Sequence, residues 1–466
     1  MQRFARLGLA ALLTAAALPA HAIPVFARKY ATSCQTCHTI YPKLTPFGEA
    51  FRRNGFRFPG TDSDYWKQET IALQPKTASG EGATLTAIPP LSFGANGDAV
   101  VHPDKNASAA IADHSTRFSL ADLVAEGHVW TGGSLSDTIT YFGEVTFASD
   151  GTVDLEHAQA YFNDLFGPRH AVNLRVGRGF NTISTFGPHS SYLSDTRGVS
   201  LAVAGLQGGT PSWNVLDHYN GLEATGVLGG RLDYAVGLNA GTSSQLRNSE
   251  NVYAHAGYKI GGMRLDGEGK SSTNAERPWE ETAFTLEAFA YHAFGAVDFT
   301  GTDSGGAPIT LTLDDTTNGG GGGLRAQWGS LELNSGIYFE HHTRAVPDFV
   351  AGTGASVDAF AHYDELSYMI FSWLVPAVRF EYFSLSPSGS ERQSLYRILP
   401  GVALTVTPNI KLVTVAVIEA PPGIHPAAGD RSAAALHRRT RSPRSDRSSR
   451  PSPSPPPSPS RGSTSC

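Results

Sequence analysis

The chain is 466 residues long, 40% apolar and 17% charged, with a formal net charge of −6 and only three cysteines. The charge is segregated: residues 23–60 carry +5, residues 430–466 carry +6, and with +2 from Arg3 and Arg6 the total of −6 leaves −19 on residues 61–429. A basic leading segment attached to a strongly acidic body argues against a nucleic-acid partner and suits cations.

The first element, "MQRFARLGLAALLTAAALPAHA", has the build of a secretory signal peptide over residues 1–22. Arg3 and Arg6 precede an apolar run, and Ala20, His21 and Ala22 form a small-residue cleavage site. The run is too short for a spanning helix, and no later stretch reaches the ~18 apolar residues that one needs. Membrane residence would therefore mean a barrel, an architecture that absorbs a chain of this length as a single unit.

Next comes "SCQTCHTIYPKLTPFGEAFRRNGFRFPG", residues 33–60, with Cys34, Cys37 and His38 in a CxxCH arrangement. Two thiols three positions apart reach the two vinyl groups of one haem, and the adjacent imidazole binds the iron. Three alternatives compete. A Cys34–Cys37 disulfide suits an oxidising compartment but leaves His38 without a role. A zinc site needs two further ligands, and the third cysteine is Cys466 at the far end. A thioredoxin-like pair wants a βαβ context that this region lacks.

The flanks extend the motif into a resemblance. Pro24, Phe26, Ala27 and Arg28 precede the cysteines, and Pro42, Leu44, Thr45, Pro46, Phe47, Gly48, Phe51, Asn54 and Gly55 follow them. In these residues the segment resembles the start of the fused outer-membrane cytochrome-porin family, where a short monohaem c-type domain precedes a β-barrel. Some members are the outer-membrane cytochromes of iron-oxidising bacteria. The resemblance covers about forty residues, too few to bury a core alone. Phe26, Tyr41, Phe47, Phe51, Phe56 and Phe58 are therefore expected to cover a haem and to pack on a second surface.

After a linker at residues 61–84, the body at 85–420 repeats apolar-polar alternation between Gly, Asp, Asn and Ser clusters. Ile139, Tyr141, Val145 and Phe147 alternate with Thr140, Glu144 and Thr146; Leu232, Tyr234, Val236 and Leu238 with Asp233 and Asn239. Leu331, Leu333, Ile337 and Phe339 alternate with Glu332, Asn334 and Glu340, and Val378, Phe380 and Tyr382 with Arg379 and Glu381. A soluble sandwich shows the same pattern. The leader, the aromatic strand ends and the acidic face favour an all-β outer-membrane antiparallel barrel of roughly 16 strands of ~10 residues. The Gly- and Asp-rich stretches at 301–323 and 348–365 read as long extracellular loops, and Gly319–Gly323 as a flexible loop, not a phosphate loop, since no Gly-Lys-Ser/Thr follows. Residues 421–466, rich in Arg, Ser and Pro, read as a disordered tail, an unusual end for a barrel and consistent with a frameshift.

The resemblance implies one covalent haem c on Cys34 and Cys37 with His38 as proximal iron ligand. The haem segment has no methionine to serve as the second ligand. His128 and His255 are the distal candidates, because both fall on the lumen-facing phase of their strands. The leading expectation is outer-membrane electron transfer from extracellular Fe(II), or another reductant, to a periplasmic carrier such as a cytochrome. That would make the chain an Fe(II)-oxidising cytochrome embedded in outer-membrane lipid. Glu126, Glu144, Asp233, Glu332 and Glu381 are candidates for concentrating the cation. Two other classes compete: a porin with a structural haem plug and no redox role, and a periplasmic haem peroxidase.

Overall fold

The computed structural model describes residues 25–59, 62–72, 84–86, 90–97, 99–101, 118–119, 124–182, 188–193, 218–240, 246–269, 277, 279–302, 305–389, 391–407 and 410–420. The leader, part of the linker and the tail at 421–466 lie outside them. None of the described helices is long and apolar enough to cross a membrane.

Alternating side chains and short turns produce one large sheet. Its strands are β1 (Leu91–Asn96), β2 (Glu126–Ser134), β3 (Ile139–Ala148), β4 (Val153–Phe162), β5 (Asn173–Phe180), β6 (His218–Leu228), β7 (Leu232–Ala240) and β8 (Leu246–Gly261). They continue as β9 (Glu281–Thr302), β10 (Pro308–Gly329), β11 (Leu331–Asp348), β12 (Thr353–Tyr368), β13 (Leu374–Pro387), β14 (Gln393–Thr407), β15 (Ile410–Val415) and β16 (Ile418–Ala420). All sixteen belong to a single sheet; each strand from β1 to β14 pairs with the next in sequence, and β15 and β16 both pair β14.

The alternation is inverted relative to a soluble protein. On β7 the outward Val236 and Leu238 are 52% and 57% exposed, while the inward Asp233 is 3% exposed. On β13 Arg379 is fully buried and Val378 lies open. Leu286, Ile337, Phe339, Leu366 and Ile398 add to the outer apolar belt, and Trp328, Tyr368, Phe371 and Trp373 sit at strand ends on its rim. An apolar outer face rimmed by aromatics over a charged interior is the surface of an outer-membrane barrel.

The amino-terminal segment shows that the sheet closes around something. Val25 N donates to Ser92 Oγ of β1 at 2.7 Å, and Thr140 Oγ1 of β3 donates to the Gly55 carbonyl at 2.6 Å. Arg53 meets Asp233 of β7 and Glu287 of β9; Lys43 meets Glu332 of β11. Ile40 packs with Val375 of β13 and Ala403 of β14. A segment of about thirty-five residues touches strands from one end of the sheet to the other, so the sheet curls into a barrel with the segment as its plug. The described turn Pro188–Ser190 and the residues through Leu193, between β5 and β6, also fold into the lumen: Lys43 Nζ donates to the Ser190 carbonyl at 2.9 Å.

Two expectations need correction. The stretches at 301–323 and 348–365 are mostly strand: residues 308–329 form β10 and residues 353–368 form β12. Gly319–Gly323 pair with Tyr291–Glu287 on one side and Glu340–Gly336 on the other. Glycine belongs there because a Cβ on Gly319 would lie 2.3 Å from the Tyr291 ring. The strands are also longer than expected, reaching 22 residues in β9 and β10. That exceeds the ~9–11 residues a membrane crossing requires, so these strands project beyond the hydrocarbon.

Candidate functional site

The plug begins with the short helix α1 (Val25–Lys29), continues through a 3-10 turn at Cys34–Thr36 and a two-stranded ladder (His38–Ile40 with Lys43–Leu44), and leads through α2 (Pro46–Arg53) to residues 54–59. The start of α2 is fixed locally. Pro46 occupies its first turn, the Gly48 amide donates to the Thr45 hydroxyl at 3.0 Å, Glu49 lies near the positive end and Arg52 and Arg53 near the negative end. Gly48 has a further function. A Cβ there would lie 2.0 Å from the Cys37 carbonyl oxygen, so only glycine lets α2 rest directly on the CxxCH backbone.

The aromatics of the plug form a miniature core. Phe26 stacks on Phe56, Tyr30 on Phe58, and Phe51 packs edge-on against Phe26, Tyr30 and Phe58. Phe56 then contacts Phe142 of β3 and Tyr161 of β4, the second surface that the sequence requires. Tyr41 departs from this group: its ring lies against His38 at 5.2 Å between centroids.

Ion pairs fix the plug to the wall. Lys29 Nζ donates to Asp62 Oδ2 at 3.0 Å and to Ser134 Oγ at 2.6 Å; Asp62 also accepts from Tyr30 and Trp66. Arg57 pairs with Asp164 at 2.9 Å. Arg53 lies between Glu49, Asp233 at 3.1 Å and Glu287 at 3.6 Å, while Arg325 reaches Glu49 at 3.5 Å and Glu332 at 3.1 Å. Burial alone would raise the Glu49 carboxyl, but Arg53, Arg52 and Arg325 hold it down at about 2.

Cys34, Cys37 and His38 sit on one turn inside this frame. Burial pushes the Cys37 thiol up to about 12 and raises that of Cys34, the reverse of the lowered values that activate a redox pair. Among the described residues, the only set of three or more His, Cys, Asp or Glu donors close enough for one metal ion is His128, Glu144 and Glu156, which leaves the cysteines without zinc partners. The His38 Nδ1–H donates to the Pro42 carbonyl at 3.2 Å, so the lone pair belongs to Nε2. Burial lowers this imidazole to about 4, neutral at ordinary pH. A metal-binding histidine typically anchors its other nitrogen on a carbonyl in this way. The donor set therefore fits a thioether-linked haem with an imidazole ligand.

The structure places the other histidines as follows. His128 and His255 both face the lumen, as their strand phase requires. His128 Nδ1 lies 3.0 Å from Glu144, and His255 lies within 3.8 Å of Asp233 and 3.9 Å of Glu287, beside Arg53. A histidine that sequence reasoning missed also reaches the motif: the His189 Nδ1–H donates to the same Pro42 carbonyl at 3.0 Å. His189 and His38 thus share one acceptor. The position of His189 comes from the β5–β6 connection and carries no spacing signal. Among the acidic candidates, Asp233, Glu332 and Glu381 are taken by arginine or lysine, whereas Glu126 and Glu144 face imidazoles.

No protein-family model matches this chain, and no curated protein matches it. Among solved structures, outer-membrane expressed OmpT of Vibrio cholerae is 11% identical, with 72% of this chain and 88% of that one covered and a TM-score of 0.46. The anion-selective porin from Comamonas acidovorans is 10% identical over 71% and 89%, with a TM-score of 0.47. The outer membrane channel DcaP of Acinetobacter baumannii is 10% identical over 71% and 97%, with a TM-score of 0.33.

Proposed function

We propose that this outer-membrane barrel is a fused cytochrome-porin that moves electrons between an extracellular donor, Fe(II), and a periplasmic carrier through one haem c. The observation that carries the proposal is the turn inside the lumen: two thiols three residues apart, followed by an imidazole whose Nδ1 is anchored on Pro42. Cys34 and Cys37 would hold the group covalently and His38 would ligate it, and the haem would supply a one-electron couple. Gly48 keeps α2 pressed on the motif, the Phe26–Phe58 cluster excludes water, and Lys29 (through Ser134), Lys43, Arg53 and Arg57 lock the segment to the wall. His38 accepts no proton at neutral pH and so stays available as a ligand.

The test is an absorption spectrum of the protein purified from outer membrane, before and after anaerobic Fe(II). Bands of a reduced c-type haem appearing on Fe(II) addition are expected; a haem-containing protein that only dithionite reduces would overturn the donor assignment. A second reading, a porin closed by a redox-silent plug, draws on the same dense ion pairs. It is separated by solute flux in liposomes, and peroxide turnover would identify a peroxidase.

A further inference from the structure

The lumen wall beside Tyr41 holds a cluster that the plug does not use. His128 on β2, Glu144 on β3 and Glu156 on β4 each offer one donor atom, all within 4.8 Å of one another. His128 Nδ1 is 3.0 Å from Glu144 Oε1, and its Nε2 is 3.7 Å from Glu126. Two further imidazoles flank the carboxylates: His157 Nε2 lies 3.7 Å from Glu144, and His218 Nε2 lies 3.8 Å from Glu156.

Two independent features set this group apart. The first is charge. At the plug interface Asp62, Asp164, Asp233, Glu287 and Glu332 each meet a lysine or arginine. Among the described residues, Glu126, Glu144 and Glu156 form ion pairs only with histidines. Adjacent, partly buried carboxylates without a cation are mutually destabilising. The second is backbone register. Strict alternation would turn Glu156 and His157 to opposite faces, but the β3–β4 ladder slips between Leu155 and His157. The extra residue lets Glu156 follow His157 inward, where its Oε1 accepts from Thr146 at 2.7 Å. Bulges of this kind re-aim side chains at functional positions.

We propose that His128, Glu144 and Glu156, with His157 and Glu126 in reserve, form a binding site for a first-row divalent cation. Mixed imidazole and carboxylate donors suit Fe(II), Mn(II), Co(II) or Zn(II). Bound donors stand roughly 3–3.5 Å apart for metal–ligand bonds of ~2.0–2.2 Å, so rotamer adjustments suffice to close the site. Tyr41 lies within electrostatic reach of Glu144 and Glu156, and its ring rests on His38. The site is thus one side chain from the CxxCH turn. Naming Fe(II) as the natural occupant rests on the electron-transfer reading; the existence of the site does not. Hard carboxylate oxygens favour the ferric over the ferrous ion, so this donor set would also make bound Fe(II) a stronger reductant.

The test is equilibrium dialysis of the full-length, detergent-solubilised protein against Co(II), with metal and haem quantified in each sample. Wild type should bind one Co(II) per chain. Glu144→Gln and His128→Ala should each weaken binding at least tenfold, while Asp358→Asn on β12 should not change it. X-ray absorption of bound Co(II) should show imidazole nitrogen and carboxylate oxygen, a readout that needs no variant. A water-only shell, no binding by wild type, or unchanged binding in both cluster variants overturns the site. Wild type that binds no Co(II) yet carries haem and is reduced by Fe(II) refutes the site alone. Co(II) binding retained in protein that carries no haem refutes the electron-transfer reading alone.

Discussion

Arg53 is the most heavily used cation of the plug, and replacing it tests whether charge holds the segment in the lumen. Its guanidinium touches Glu49, Asp233 at 3.1 Å and Glu287 at 3.6 Å, and the side chain is 6% exposed. Arg53→Ala leaves carboxylates facing one another in a poorly hydrated space. Removing one partner of a buried pair costs about 3–5 kcal/mol. At ~1.4 kcal/mol per tenfold, that shifts the docking equilibrium by roughly two to four orders of magnitude. The assay is single-channel conductance in planar bilayers with wild type as reference. The variant should show long-lived open states of higher conductance, and adding Asp233→Asn should restore part of the closure by removing one uncompensated charge. Wild-type conductance and an unchanged melting temperature in Arg53→Ala would refute ionic locking.

Cys34→Ala and Cys37→Ala should each weaken haem attachment, and the double variant should lose haem staining on a denaturing gel. Deleting residues 23–60 should admit larger solutes in liposome-swelling assays as well as abolish reduction by Fe(II). Gly48→Ala should disturb the motif, because the added methyl meets the Cys37 carbonyl; reduced haem incorporation with an intact, heat-modifiable barrel would show it. Acid should release the plug. The Glu49 carboxyl sits at about 2 against an ordinary 4.5, so its stabilisation is complete above 4.5 and is lost as pH falls towards 2. The shift corresponds to about 3 kcal/mol. Conductance should rise across that window, and in Glu49→Gln the rise should be smaller.

The strand phases were legible because a membrane barrel has two faces with opposite solvents. Asp233, Glu332, Arg379 and Glu381 point inward and Val236, Leu238, Ile337 and Val378 outward, as alternation requires. Loop boundaries were not legible for the same regions. Gly, Asp and Thr mark turns in isolation, yet in β10 they are strand residues, because glycine admits the Tyr291 ring and threonine hydroxyls bond across the ladders, Thr312 to Asp298 and Thr317 to His342. The site was half legible. CxxCH and His128 could be read from spacing and phase. Glu156 beside His157 could not, since only a one-residue slip turns both neighbours inward, and His189 could not, since it reaches Pro42 from a connection 147 residues away.

The charge segregation of the sequence thereby acquires a spatial meaning. The cations of residues 25–59 meet carboxylates at Asp62, Asp164, Asp233, Glu287 and Glu332, closing that part of the lumen with fixed, paired charge. Glu126, Glu144 and Glu156 on β2, β3 and β4 are left to imidazoles. A lumen built in this way is sealed by its own plug on one side and keeps negative potential on the other, next to Tyr41 and His38. Mobile cations are drawn to carboxylates that no lysine or arginine pairs, and among the described residues Glu126, Glu144 and Glu156 pair only with histidines. One haem is much smaller than the ~30 Å hydrocarbon core. The electron-transfer proposal therefore requires a separate carrier on the periplasmic side.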